Sequence, residues 1–334
     1  ARPAGFEGML IVRGSAPQDT QVFVDGALIP QAYHFGGIAS VVPAEVLERL
    51  EFRPGNFGPE FGRGMGGVVD LGVRSPRREG FAGLVQVDML DARFMVEGAL
   101  TERTRFLLAG RRSWVDAWLG RVLSGGGTQV RTAPVYYDWQ AVLEHDFTRR
   151  TTARLMFIGA DDRLALLLAS PDAQDPAFGG SVSAHSGFTR LQLRLDSRIT
   201  DDVRWTSSVT WGTEALGFFV GDNFADVNMH TLQGRSEVRA NLGEHVSLTG
   251  GVDVLWQRTD VSLRLTPYPA ADEPPGPTFG RPPLTVTAQP SAARPGAYLH
   301  FDITPVDGLR LMPGIRVDYT QDNGGVTVDP RFAA

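Results

Sequence analysis

The run Gly62-Arg63-Gly64-Met65-Gly66-Gly67 has the G-x-G-x-x-G spacing of a dinucleotide-binding loop. That chemistry needs a strand before the loop and a helix after it, so that a pyrophosphate meets the helix N–H groups. Here Phe57-Gly58-Pro59-Glu60 precedes and the β-rich Val68-Val69-Asp70-Leu71 follows. The glycines are therefore expected to supply positive φ and close packing. His34, His145, His185, His230, His245 and His300 are dispersed, with no zinc-like pair, so no metal site is expected. Asp222, Asn223, Asp226 and Asn228 fall in an expected long loop and could hold Ca²⁺, but such residues are more often simply a polar loop. Neither G-x-S-x-G nor H-E-x-x-H occurs. With no cysteine, disulfides and thiolate sites are excluded. All 32 basic residues are arginine, which removes a phosphate-loop lysine and any Schiff-base lysine. No enzyme chemistry and no cofactor are expected. The net charge of −6 argues against a nucleic-acid partner.

The elements around these residues are strands. From residue 81 onward, apolar and polar positions alternate with period two. Val246, Leu248, Gly250, Val252, Val254 and Trp256 share one face, with Ser247, Thr249, Asp253 and Gln257 opposite. Leu232, Val238, Ala240 and Leu242 oppose Gln233, Arg235, Glu237, Arg239 and Asn241. The pattern predicts about eleven strands, near 81–90, 92–100, 104–112, 135–146, 151–160, 187–199, 203–213, 231–242, 246–258, 297–304 and 309–320. Short turns at 101–103, 148–150, 201–202, 243–245 and 305–308 alternate with long segments at 113–134, 161–186, 214–230 and 259–296. That sorting suits an outer-membrane barrel, with short periplasmic turns and long outer loops, better than a soluble β-sandwich or propeller. The apolar stripe would meet lipid and the polar stripe would line a wet lumen. Trp139, Trp205, Trp211, Trp256, Tyr298 and Tyr319 are placed for interfacial girdles. No apolar run reaches the length of a transmembrane helix.

Residues 9–74 break the pattern. Short strands are expected at Met9–Arg13, Gln21–Val24, Leu50–Arg53 and Val68–Val73, with a tight turn at Asp25-Gly26 and a short helix after Pro43. The ordered set Ile11-Val12-Arg13-Gly14, Val22-Phe23-Val24-Asp25-Gly26, Ile29-Pro30, Val42-Pro43, Leu50-Glu51-Phe52-Arg53-Pro54-Gly55, Phe61-Gly62-Arg63 and Gly66-Gly67-Val68-Val69-Asp70-Leu71 resembles the plug signature of the TonB-dependent receptor family.

The resemblance implies a mainly β fold: a small α+β plug over 1–76, then the first half of an antiparallel transmembrane barrel over 81–334, within a parent of about 22 strands. It also implies a Gram-negative outer-membrane location, contact with outer-membrane lipid, and energy-coupled uptake of a scarce cargo such as a siderophore or vitamin. The coupling partner would be the TonB–ExbB–ExbD complex, acting through a TonB box that this chain does not include. The final Phe332-Ala333-Ala334 lacks the expected terminal aromatic signal, so a fragment of a larger receptor is expected. The alternatives are a non-transporting adhesion barrel, a passive porin, against which the plug argues, and a non-functional truncated receptor. By resemblance Tyr33, His34 and Phe35 sit at the plug apex, where they would bind ligand; alternatively Tyr33 and Phe35 pack the plug's own core. Arg13 and Arg53 would pair with carboxylates of the barrel wall, or be solvated in a wet lumen.

Overall fold

The computed structural model describes residues 2–4, 8–118, 134–167, 181–266, 282–322 and 324–334. The first segment forms β1 (Arg2–Ala4) paired with β2 (Met9–Ile11), then a small sheet. Its strands are β3 (Gln21–Val24), β4 (Ala27–Ile29), β5 (Leu47–Arg53) and β6 (Val68–Val73), in the order β4-β3-β6-β5. Asp25 and Gly26 both have positive φ, 50° and 85°. They join β3 to β4 in two residues, as a tight hairpin with right-handed twist requires. The helix expected after Pro43 is a single 3-10 turn at Ala44–Val46.

The rest is one sheet of thirteen strands among the described residues. They are β7 (Phe81–Val87), β8 (Asp91–Ala99), β9 (Thr104–Ser113), β10 (Val135–Asp146), β11 (Thr151–Leu167), β12 (Ser181–Arg198), β13 (Val203–Val220), β14 (Asn223–Asn241), β15 (Val246–Leu265), β16 (Leu284–Ala288), β17 (Ser291–Val306), β18 (Leu309–Thr320) and β19 (Gly325–Ala333). Sequential neighbours pair antiparallel, except that β16 lies off the path on the far end of β15. The sheet is open, with β7 and β19 at its edges.

Cross-strand register fixes the two faces. Phe157, Leu191, Trp211, Leu232 and Trp256 lie directly opposite one another and point outward. Beyond them the outward positions become polar: Thr189, Thr213, His230 and Arg258. On β14 and β15 the apolar outward stretch, 232–242 and 246–256, is about the length a tilted strand needs to cross a bilayer.

Four expectations change. The stretch 214–230 is no long loop: β13 and β14 continue to a turn at Gly221-Asp222. Strand also extends into 161–186 and 259–296, while 119–133, 168–180 and 267–281 lie outside the described residues. Past the apolar belt no lipid demands an apolar face, so the alternation fades while the backbone ladder continues. Asp226 and Asn228 therefore sit on β14, and Asn223 Oδ1 accepts the Thr266 N–H at 2.6 Å. Third, Tyr298 is buried on the inner face, in space left by Gly251 directly opposite. Fourth, the inner face is not uniformly wet. Leu107, Ala109, Val142, Met156, Ile158, Ala160 and Phe188 point inward and form one core with Val22, Val24, Ile29, Val69 and Leu71 of the small sheet and with Val41 and Val46 of the segment before β5. Strands β9 to β12 are thus apolar on both faces where the small sheet sits.

Candidate functional site: the interface between plug and wall

A wall with an apolar seat still has to satisfy the backbone carbonyls that the loops of the N-terminal unit, named a plug after the family it resembles, turn toward it. Arginines do this. On β11 and β12, Arg154 donates to Val73 O at 2.9 Å and Arg190 to Leu28 O at 2.7 Å. Farther along, Arg235 reaches Glu60 O at 3.2 Å, Arg316 reaches Pro59 O at 3.1 Å, and Arg331 reaches Gly58 O and Phe61 O at 2.8 and 2.7 Å. Each is also held by a carboxylate: Arg154 by Glu144, Arg190 by Glu214, Arg235 by Glu237, Arg316 by Asp253 and Asp318, Arg331 by Asp329. Three of these pairs lie two residues apart on one strand, which the period of two puts on the same face. A planar five-donor fork can hold a carboxylate with one edge and a carbonyl with the other; lysine has no such geometry.

The glycine run belongs to this contact. Close approach is its role: a Cβ on Gly62 would stand 2.0 Å from Arg316 Nε, and one on Gly66 2.5 Å from Ser15 Oγ. The positive φ expected of the glycines falls instead on Arg63, at 66°. Arg63 itself pairs with Asp253 of β15. The Asp25-Gly26 turn is gripped as well: Gln233 donates to Gly26 O at 2.9 Å, Gln192 donates to Asp25 O at 3.2 Å, and Asp25 pairs with Arg154 at 3.1 Å. Burial, partly offset by Arg154 and Arg194, leaves the Asp25 carboxyl above the usual carboxylate range.

The predicted apex residues are placed differently from an exposed ligand surface. His34 is fully enclosed, and Phe35 is buried. Tyr33 is half-buried against the core. His34 lies between two wall carboxylates, with Nδ1 2.5 Å from Asp162 and Nε2 3.1 Å from Asp138. Asp162 also accepts Gln31 Nε2 at 3.1 Å and the Phe35 N–H at 3.2 Å. Burial alone would lower the imidazole pKa; hydrogen bonds and charge from Asp138 and Asp162 outweigh it and hold the pKa above its ordinary value. His34 and the Phe35 N–H bind this loop to the wall, while Tyr33 packs against the core.

The predicted plug–barrel arginines are also reassigned. Arg53 pairs with Glu51 and Glu60 inside the plug, at 2.8 and 3.0 Å, and lies over the Phe61 ring. Arg13 is exposed, with positive φ, and forms no ion pair among the described residues. The ion pairs between plug and wall are made instead by Arg63, by Arg74 with Glu97 at 2.8 Å, by His34 with Asp138 and Asp162, and by wall arginines. Between plug sheet and wall remains a cavity of about 490 Å³ lined by charge, including Arg49, Asp70, Arg194, Arg239, His300 and Arg310.

No family model and no curated protein sequence matches the chain. Solved structures do. It is similar to the ferric enterobactin receptor PfeA of Pseudomonas aeruginosa, at 17% identity and TM-score 0.64, over 98% of this chain and 54% of that one. It is similar to the siderophore receptor PirA of Acinetobacter baumannii, at 16% identity and TM-score 0.67, over 98% and 53%. The outer-membrane transporter YddB of Escherichia coli matches at 11% identity and TM-score 0.65, over 97% and 52%. The chain spans about half the length of these structures. Over that half it has the fold of the outer-membrane TonB-dependent siderophore receptors.

Proposed function

We propose that the protein is a TonB-dependent outer-membrane receptor that takes up a scarce chelate, a ferric siderophore in the first instance, and is no enzyme. The observation that carries this reading is the small sheet seated on the inner wall of a strand array whose outer face is apolar. A diffusion pore has no use for such a stopper. The array's two-faced strands suit an outer membrane of a Gram-negative bacterium. The many charge-assisted contacts between plug and wall support energy coupling, since moving the plug means breaking them. The force would come from TonB–ExbB–ExbD. PfeA, solved with enterobactin, makes ferric catecholates the first cargo to try.

The test is uptake of a radiolabelled ferric catecholate by cells expressing the intact gene, with and without TonB. Uptake that disappears without TonB is expected. Equal uptake in both strains would sink the energy-coupled reading. Binding without any uptake would favour the adhesion barrel.

A further inference from the structure

The loop between β4 and β5 meets the wall through several buried polar contacts, among them Gln31 and the Phe35 N–H with Asp162, Ser40 O with Arg111 and Val41 O with Gln140; within 31–40, His34 is the side chain that pairs with wall carboxylates. An ionised carboxylate only accepts hydrogen bonds, so an imidazole facing two of them donates from both nitrogens, which it does only as imidazolium. Both carboxylates also accept from other donors. Asp138 also accepts Arg111 Nε at 2.6 Å and Gln140 Nε2 at 3.0 Å. Asp162 also accepts Gln31 Nε2 and the Phe35 N–H. The ring stacks on Tyr136, centroids 4.3 Å apart.

The charged and titratable groups around it come from four strands. They are Asp91 on β8, whose carboxylate accepts the Tyr136 hydroxyl, Arg111 on β9, Asp138 and Tyr136 on β10, and Asp162 on β11. From β12 comes only the neutral Ser186, which donates to Gln31. The loop 31–40 contributes no other ionisable group than Tyr33 and His34. With His34 protonated, three carboxylates face two cations. Without that proton they face Arg111 alone, in a site closed to water.

We propose that His34 is a proton-dependent latch: the plug loop 31–40 is held to strands β9 to β11 while the imidazole carries its second proton, and is let go when that proton leaves. The inference rests on the contact between plug and wall and is independent of cargo or energy source. The folded-state pKa lies above the ordinary 6.5, so the latch is at full strength below that pH. It weakens as pH rises through the folded value.

Amide hydrogen exchange on the detergent-solubilised protein, from about pH 6 to about pH 10 with intrinsic rates divided out, reads the latch directly. Protection at 32–37 should fall by about tenfold or more on raising the pH, while 22–24 in β3 keep theirs. His34→Gln should abolish that pH dependence. Asp138→Asn, which leaves one carboxylate, should move the midpoint to lower pH. Flat protection in the unmodified protein, or a pH dependence surviving in His34→Gln, overturns the proposal; the first arm needs no variant to fold.

Discussion

Arg316 is fully buried, and each edge of its guanidinium is occupied: Asp318 on one side, Asp253 and Pro59 O on the other. The side chain cannot swing away to accommodate a neighbour. Gly62→Ala should therefore cost about 1–3 kcal/mol. Arg316→Met should cost about 3–5 kcal/mol, because Asp253 and Asp318 lose a shared cation. The two changes should be strongly non-additive: with Met at 316, Gly62→Ala should cost little. Chemical denaturation in micelles reads all three variants. Additive costs would mean that Gly62 serves something other than Arg316. In the sequence this pair is invisible, since 254 positions separate its members and each looks ordinary in its own strand or loop.

At the scale of elements, each wall strand carries two codes on alternate residues. On β14, Val238 faces outward and is 42% exposed, while Arg239 faces inward beside the cavity. Val238→Arg should cost about 2–4 kcal/mol in a bilayer, the usual cost of a charge on the lipid face near mid-depth. Arg239→Gln, at a half-exposed inner site, should cost less than about 1 kcal/mol. Folding titrations in lipid vesicles give the comparison, and equal costs would contradict the assignment of faces. The outward code was legible, because it obeys a simple alternation with lipid as a uniform partner. The strand extensions at 214–230 were not, because above the belt the ladder is held by backbone hydrogen bonds that any residue can make. The inward code was half legible. Arg235 and Glu237 announce a polar face, whereas Leu107, Met156 and Ile158 face inward only because a plug covers them.

Taken whole, the molecule is an open sheet with the small sheet seated on its inner face, and among the described residues its edges β7 and β19 carry unpaired backbone groups. Outward residues on them are strongly exposed, among them Val85 at 80% and Val326 at 65%. A polypeptide limited to these 334 residues should self-associate through these edges. Sedimentation in detergent should find oligomers, and proline at Val85 and Val328 together should reduce them. A strictly monomeric species would show that the edges close on something within the chain. The alternation, the tight Asp25-Gly26 hairpin and the ordered plug signature settled the strand class, the two faces and the receptor likeness by sequence alone, because each depends on residues close along the chain. Only the tertiary structure decided that His34 faces Asp138 and Asp162, that Arg53 stays within the plug, and that Arg316 reaches Pro59. Those contacts join residues far apart in the chain, and each is set by which wall position the docked plug presents to which loop.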